Sequence, residues 1–174
     1  NALLSLGLKD RIFRLLNSFI HRQERSGYFR SQEGEWDSNG QVLWIFDRYR
    51  QLAEADLPAD WIAAVLKGAR WIVRKRTPKS ENPHGGLLPA GFSAEHLGPN
   101  DYYYWDDFWG LAGLKAASRI ARQARLPEQE EALLREAADF EKTIFDSIAR
   151  IPDRRSQGAI PASPYRRVDS GAIG

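Results

Sequence analysis

Apolar residues recur three and four positions apart along most of this chain, and nowhere do they alternate over the length of a strand. That period places them on one face of a helix. In the first segment Leu4, Leu8, Ile12, Leu15, Leu16 and Phe19 form the stripe, with Arg11, Arg14, Asn17 and Arg22 between them. It predicts a helix from Ala2 to Gln23, ended by Ser26-Gly27. A second helix is expected from Asn39 to Ala55, with Asp37 or Ser38 as its N-cap. The third opens at Pro58, a residue suited to a first helical turn, and stops near Arg76 ahead of Thr77-Pro78. The fourth covers Tyr104 to Ala124. The fifth opens at Pro127 and reaches Ile151, with Glu128, Glu130 and Glu131 in the turn where the helix dipole favours acids. Two long connections remain, Pro78 to Tyr102 and Pro152 to Arg167. Connections of that length in a compact domain point to function.

The fold class that follows is all-α, built from antiparallel helical hairpins. The 174 residues are 43% hydrophobic, enough for a core and too apolar for disorder. A net charge of +2 gives no basic stripe, so nucleic acid is not an expected partner. The apolar stretch Ala2 to Leu8 is interrupted by Ser5 and Gly7 and followed by Lys9 and Asp10, so no membrane span is expected. The chain has no cysteine, which excludes disulfides and thiolate metal sites. Its three histidines, His21, His84 and His96, lack helical ligand spacing, and no phosphate loop or dinucleotide fingerprint occurs. No metal and no cofactor are expected.

A weak repeat organises the helices. Trp36-Asp37-Ser38-Asn39-Gly40, Trp105-Asp106-Asp107-Phe108-Trp109-Gly110 and Val168-Asp169-Ser170-Gly171 each place an Asp after an apolar residue, with Gly close behind. About two helices separate successive copies, so alternate helices should begin at one common face, each offering a carboxylate. Stacked hairpins give that arrangement, as an open solenoid or a closed toroid.

The stretch Asn100 to Gly110 crowds three acids and six aromatics into one helix entry. Flat rings pack on the apolar faces of pyranoses, and carboxylates accept bonds from paired hydroxyls. A sugar site therefore fits, with Tyr104, Trp105 and Trp109 as stacking candidates. Asp106 and Asp107 stand about 100° apart around the helix, so their jobs differ. One acid is expected to face a cavity and the other to hold the loop or a substrate hydroxyl, the alternative being a simple N-terminal cap. Asp106, Gly110 and Gly113 share a thin face that lets backbone or ligand approach closely. The preceding loop, Asn82 to Pro99, is shaped by Gly and Pro and carries His84, Glu95 and His96 as polar handles. Trp36 and Asp37 are expected to line the same cavity, against a plain capped helix start.

The Trp105-Asp106-Asp107 helix start, after its aromatic lead-in, resembles the six-hairpin glycosidases, the (α/α)6-barrel hydrolases that include glucoamylases and glycogen-debranching-type enzymes. Gly86-Leu87-Leu88-Pro89, Glu35-Trp36-Asp37-Ser38-Asn39-Gly40 and Asp169-Ser170-Gly171 also look like pieces of that barrel. The resemblance implies a toroid of twelve helices, of which this chain supplies five and the start of a sixth, so the single domain is expected to continue past Gly174. It implies that Asp106 is the general acid, that Asp107, Asp37 and Glu95 bind sugar hydroxyls, and that Trp36, Tyr104, Trp105 and Trp109 stack on the sugar. Glucoamylases carry Glu at both acid positions, and Asp is one methylene shorter. The base that activates water in inverting hydrolysis, roughly 6.5–9.5 Å from the acid, is then expected beyond Gly174. The expected partner is an oligosaccharide or polysaccharide, and the open face of a half toroid predicts self-association. Two other classes fit the same pattern: a non-enzymatic helical-repeat scaffold that binds a protein, and a toroidal terpenoid cyclase.

Overall fold

The computed structural model describes Leu3 and residues 6–92, 100–152 and 158–166. Among these residues there are five helices after the turn at Leu6-Gly7: α1 (Lys9–Arg22), α2 (Ser38–Ala53), α3 (Ala59–Lys75), α4 (Tyr104–Gln123) and α5 (Pro127–Ala149). The fold is all-α. The only extended pairing among the described residues is an isolated bridge between Gly91 and Asp101.

Side-chain contacts fix the direction of each helix. Tyr104 meets Ser147 and Lys115 meets Glu141, so α4 and α5 are antiparallel. Asn39 bonds the Gly68 carbonyl and Phe46 packs edge-on to Trp61, so α2 and α3 are antiparallel too. Trp105 reaches Asp37 at one end and Arg119 reaches Asp47 further on, so α2 and α4 run parallel. The result is two layers. α2 and α4 form one, and α1, α3 and α5 form the other, running the opposite way.

Glycine sets how closely the parallel pair packs. A Cβ on Gly40 would lie 2.0 Å from the Trp109 carbonyl oxygen, and one on Gly113 would lie 2.7 Å from the Gly40 Cα. The two helices touch backbone to backbone, so the thin face of α4 admits a neighbouring helix. Between the layers lies the core, with Leu16, Leu43, Phe46, Trp61, Ile72, Leu114 and Phe140 almost fully buried.

Most boundaries agree with the apolar period, and the exceptions have local causes. α1 begins at Lys9, seven residues after Ala2, because Gly7 takes φ +71° and a turn precedes it. Asn1, Ala2, Leu4 and Ser5 lie outside the described residues. α2 stops at Ala53 because Glu54 turns left-handed at φ 51°. Neither Asp37 nor any side chain at the start of α4 makes a cap hydrogen bond; Tyr103 occupies the cap position there. Asp37 thus takes the N-cap position expected at α2, without a cap hydrogen bond, and only the cap alternative for Asp106 and Asp107 at α4 is corrected.

Candidate functional site

The starts of α2 and α4 come together at one rim. Asn39 builds the first of them. Its fully buried side chain accepts from the Phe29 N–H at 2.7 Å and donates to the Gly27 and Gly68 carbonyls at 3.1 and 3.0 Å. One amide thereby ties the turn before α2 to α3.

The Gly/Pro loop joins the two starts. Leu87 and Leu88 are buried in the core, and Thr77 pairs with the Leu87 carbonyl through both its N–H and its hydroxyl. Arg76 donates to the Gly86 carbonyl at 2.7 Å and to Asp139 of α5 at 2.9 Å, with its guanidinium over the Phe140 ring. Beyond this anchor the Phe92 N–H donates to the Gly34 carbonyl, and Gly91 pairs with Asp101. Gly91 lies tight against Gly34 and Trp36, where a Cβ would come within 2.5 Å of both. The loop therefore stitches the lead-in of α2 to the lead-in of α4.

Residues 158–166 close the rim from the other side. Tyr104 N–H donates to the Ala162 carbonyl, and Asp101 accepts from the Ser163 hydroxyl at 2.7 Å and from Arg166 at 3.2 Å. The ring of His84 stacks on Tyr102, with centroids 4.1 Å apart, and its Nδ1 meets the Tyr165 hydroxyl at 2.5 Å.

The acids at this rim divide as their helical angle requires. Asp107 is 0% exposed and its Oδ1 accepts the Leu88 N–H at 2.8 Å. It is the acid that holds the loop. Burial pushes its carboxyl up to about 8, against the opposing pull of the Leu88 N–H and of Arg76. Its Oδ2 has no hydrogen-bond partner among the described residues. Asp106 is 1% exposed and close enough to Tyr103 to help hold that phenol above its ordinary range, after the larger effect of burial. Asp37 is buried, and its Oδ2 accepts from Trp105 Nε1 at 2.8 Å and from Gln41 at 2.6 Å.

The aromatics divide too. Trp105 is 44% exposed and Trp109 half-buried, meeting edge to face at 6.0 Å. Tyr104 is in the core instead, its hydroxyl 2.8 Å from Ser147 and pushed up to about 12 by burial, so it presents no open ring face. Trp36 is half-buried with Lys75 Nζ 3.6 Å from its ring centroid, so a cation takes one face. Glu95 and His96, like the Asp169-Ser170-Gly171 repeat, lie outside the described residues.

One residue escaped the sequence reading. Trp44 meets Trp109 edge to face at 5.9 Å and extends the row to three tryptophans along the α2–α4 seam, with Arg48 over its ring. The signal was present: Asp37, Gln41, Trp44 and Arg48 fall at helical spacing on one stripe, matching Trp105 and Trp109.

Among the described residues no group of three or more His, Cys, Asp or Glu is arranged to hold a metal ion. No helix among them is long and apolar enough to cross a membrane. In comparisons with known proteins, no family model, no curated protein and no solved structure matches this chain.

Proposed function

We propose that this chain carries the sugar-binding rim and the general acid of a glycoside hydrolase built on an (α/α) toroid. The observation behind the reading is the hydrogen bond from Trp105 to Asp37. It joins the starts of two parallel helices that are far apart in sequence, and sets carboxylates beside tryptophans at one rim. Trp105, Trp109 and Trp44 offer apolar ring area along the seam. Asp37 and Gln41 offer polar atoms for hydroxyls beside them.

In this reading Asp106 protonates the leaving glycosidic oxygen. Asp107 acts through the loop: it keeps Leu88, and with it the lead-in of α4, in place. Asp106 is closed off from solvent, so sugar binding has to open the rim above it.

The test is Asp106→Asn in the full natural chain, assayed on a panel of oligosaccharides. Turnover is expected to fall by about 10²–10⁴-fold, the usual worth of a general acid, with substrate affinity little changed. Wild-type turnover in that variant would remove Asp106 from the role.

A further inference from the structure

The tryptophan row leads along the α2–α4 seam into a group of arginines. Trp105 and Trp109 lie 6.0 Å apart, Trp109 and Trp44 5.9 Å, and the Arg48 guanidinium stands 5.9 Å from the Trp44 ring centroid. Arg48 therefore takes the next place in the row. Its Nη1 donates to Gln51 Oε1 at 2.8 Å. Gln51 in turn donates to Asp47 Oδ2 at 2.8 Å, and Arg119 of α4 donates its Nε to the same oxygen at 2.7 Å. Arg50 takes the other oxygen, Oδ1, with Nη2 at 2.8 Å and Nε at 3.2 Å. Asp47 is 0% exposed, so one carboxylate beneath the seam ties together three arginines.

That carboxylate balances only one of the three cations. Both of its oxygens are taken, and among the described residues no acid pairs with Arg48. Like charges held this close repel one another, a cost that a bound anion would offset. The arginines are also set up to meet one. A guanidinium offers five N–H donors in a plane, and Arg48 spends one of them on Gln51 while Trp44 covers a face. Arg119 is anchored through Nε, and its side chain is still 43% exposed. At the opposite end of the row stands a negative group, Asp37, held by Trp105 and Gln41. The row thus runs from a carboxylate to a surplus of guanidinium.

We infer that the saccharide of this site is acidic, with a carboxylate or sulfate group that pairs with Arg48 and Arg119 while its rings lie on the tryptophans. The inference rests on the sugar-binding reading of the row and names the class of sugar. Planar guanidinium groups bind such oxyanions through two parallel hydrogen bonds. Asp37 repels an anion, so the acidic residue of the saccharide lies toward Arg48 and its neutral hydroxyls lie toward the rim.

The experiment is isothermal titration calorimetry with two matched pairs: tetragalacturonate against its methyl ester, and sulfated maltotetraose against its unsulfated parent. At least one acidic saccharide is expected to bind about tenfold or more tightly than its neutral counterpart, by a margin that shrinks as salt rises. A preference in the first pair assigns a carboxylate, and one in the second a sulfate. Arg48→Gln should bring that ratio close to one. Arg48 is half-buried at the surface, so circular dichroism should show the variant folded, and the wild-type comparison decides even if it is not. Equal binding of acidic and neutral partners by the wild type overturns the inference and leaves the sugar-binding reading standing. So does an Arg48→Gln protein that keeps the wild-type ratio. A polyglutamate peptide that binds more tightly than either acidic saccharide overturns it as well, because the cations then serve a protein. If no saccharide binds at all, the sugar-binding reading fails and takes the inference with it.

Discussion

Asp107 shows how far a single residue can be read before its surroundings are known. The sequence placed it about 100° from Asp106 and gave the pair two jobs, a cavity and a loop or hydroxyl. The division of labour was legible from the angle alone. Which acid took the loop was not, because that depends on where Leu88 returns to the helix. The same holds for Tyr104. An aromatic at a helix start reads equally as a platform or as core, and Ser147, forty-three positions away, decides for core. The raised Asp107 carboxyl makes stability depend on pH with a definite sign. In the unfolded chain it ionises near its ordinary 3.8, and in the fold only near 8. Between those values the folded state holds the extra proton, so stability falls as pH rises from about 4 to 8, by up to about tenfold in the folding equilibrium per unit. Asp107→Asn keeps an acceptor for the Leu88 N–H and cannot ionise. Chemical denaturation across this range should give that variant a flatter profile and greater stability than wild type at pH 9. Asn39→Ala is a second test at this scale. It strands one buried N–H and two carbonyls, and urea melts should show a loss of about 3 kcal/mol or more.

Among the elements, the helices were the most legible part, since four of the five start within about two residues of the period's prediction. α1 is the exception, because an apolar stripe continues through Gly7 while the backbone does not. The parallel seam between α2 and α4 was legible only as a thin face bearing Gly110 and Gly113. Its partner, Gly40, had been read as part of a helix-start repeat. At Gly40 the clash is with backbone, so relief requires moving a helix. At Gly110 the nearest atom is Phe140 Cε1 at 3.0 Å, at the edge of a ring. Gly40→Ala should therefore cost about 2 kcal/mol or more in thermal or urea denaturation, net of the gain in helix propensity. Gly110→Ala should stay within about 1 kcal/mol of wild type. Equal losses at the two positions would mean that the seam is looser than a backbone contact. Trp44 was missed because a lone tryptophan inside a helix carries no sign of which neighbouring helix it meets, although it shares a face with Asp37 and Gln41.

At the scale of the whole molecule, the all-α hairpin architecture was readable from sequence, and the common rim for alternate helix starts followed from the repeat. The polarity of the molecule was not. A net charge of +2 conceals a basic α1 and an α5 with seven acids, six of them ion-paired within the molecule. The stitching of the rim by loop 76–91 and by residues 158–166 was also beyond reach, because it rests on backbone bonds such as Phe92 to Gly34 and Tyr104 to Ala162. The central claim is that this rim and its tryptophan row bind sugar. Tryptophan fluorescence during titration with a panel of neutral and acidic oligosaccharides tests it most directly, with Trp105→Ala beside the wild type. The account predicts a saturable change for at least one oligosaccharide and its loss in Trp105→Ala, with the fold intact by circular dichroism. No response to any saccharide, together with saturable binding of a peptide, would contradict it.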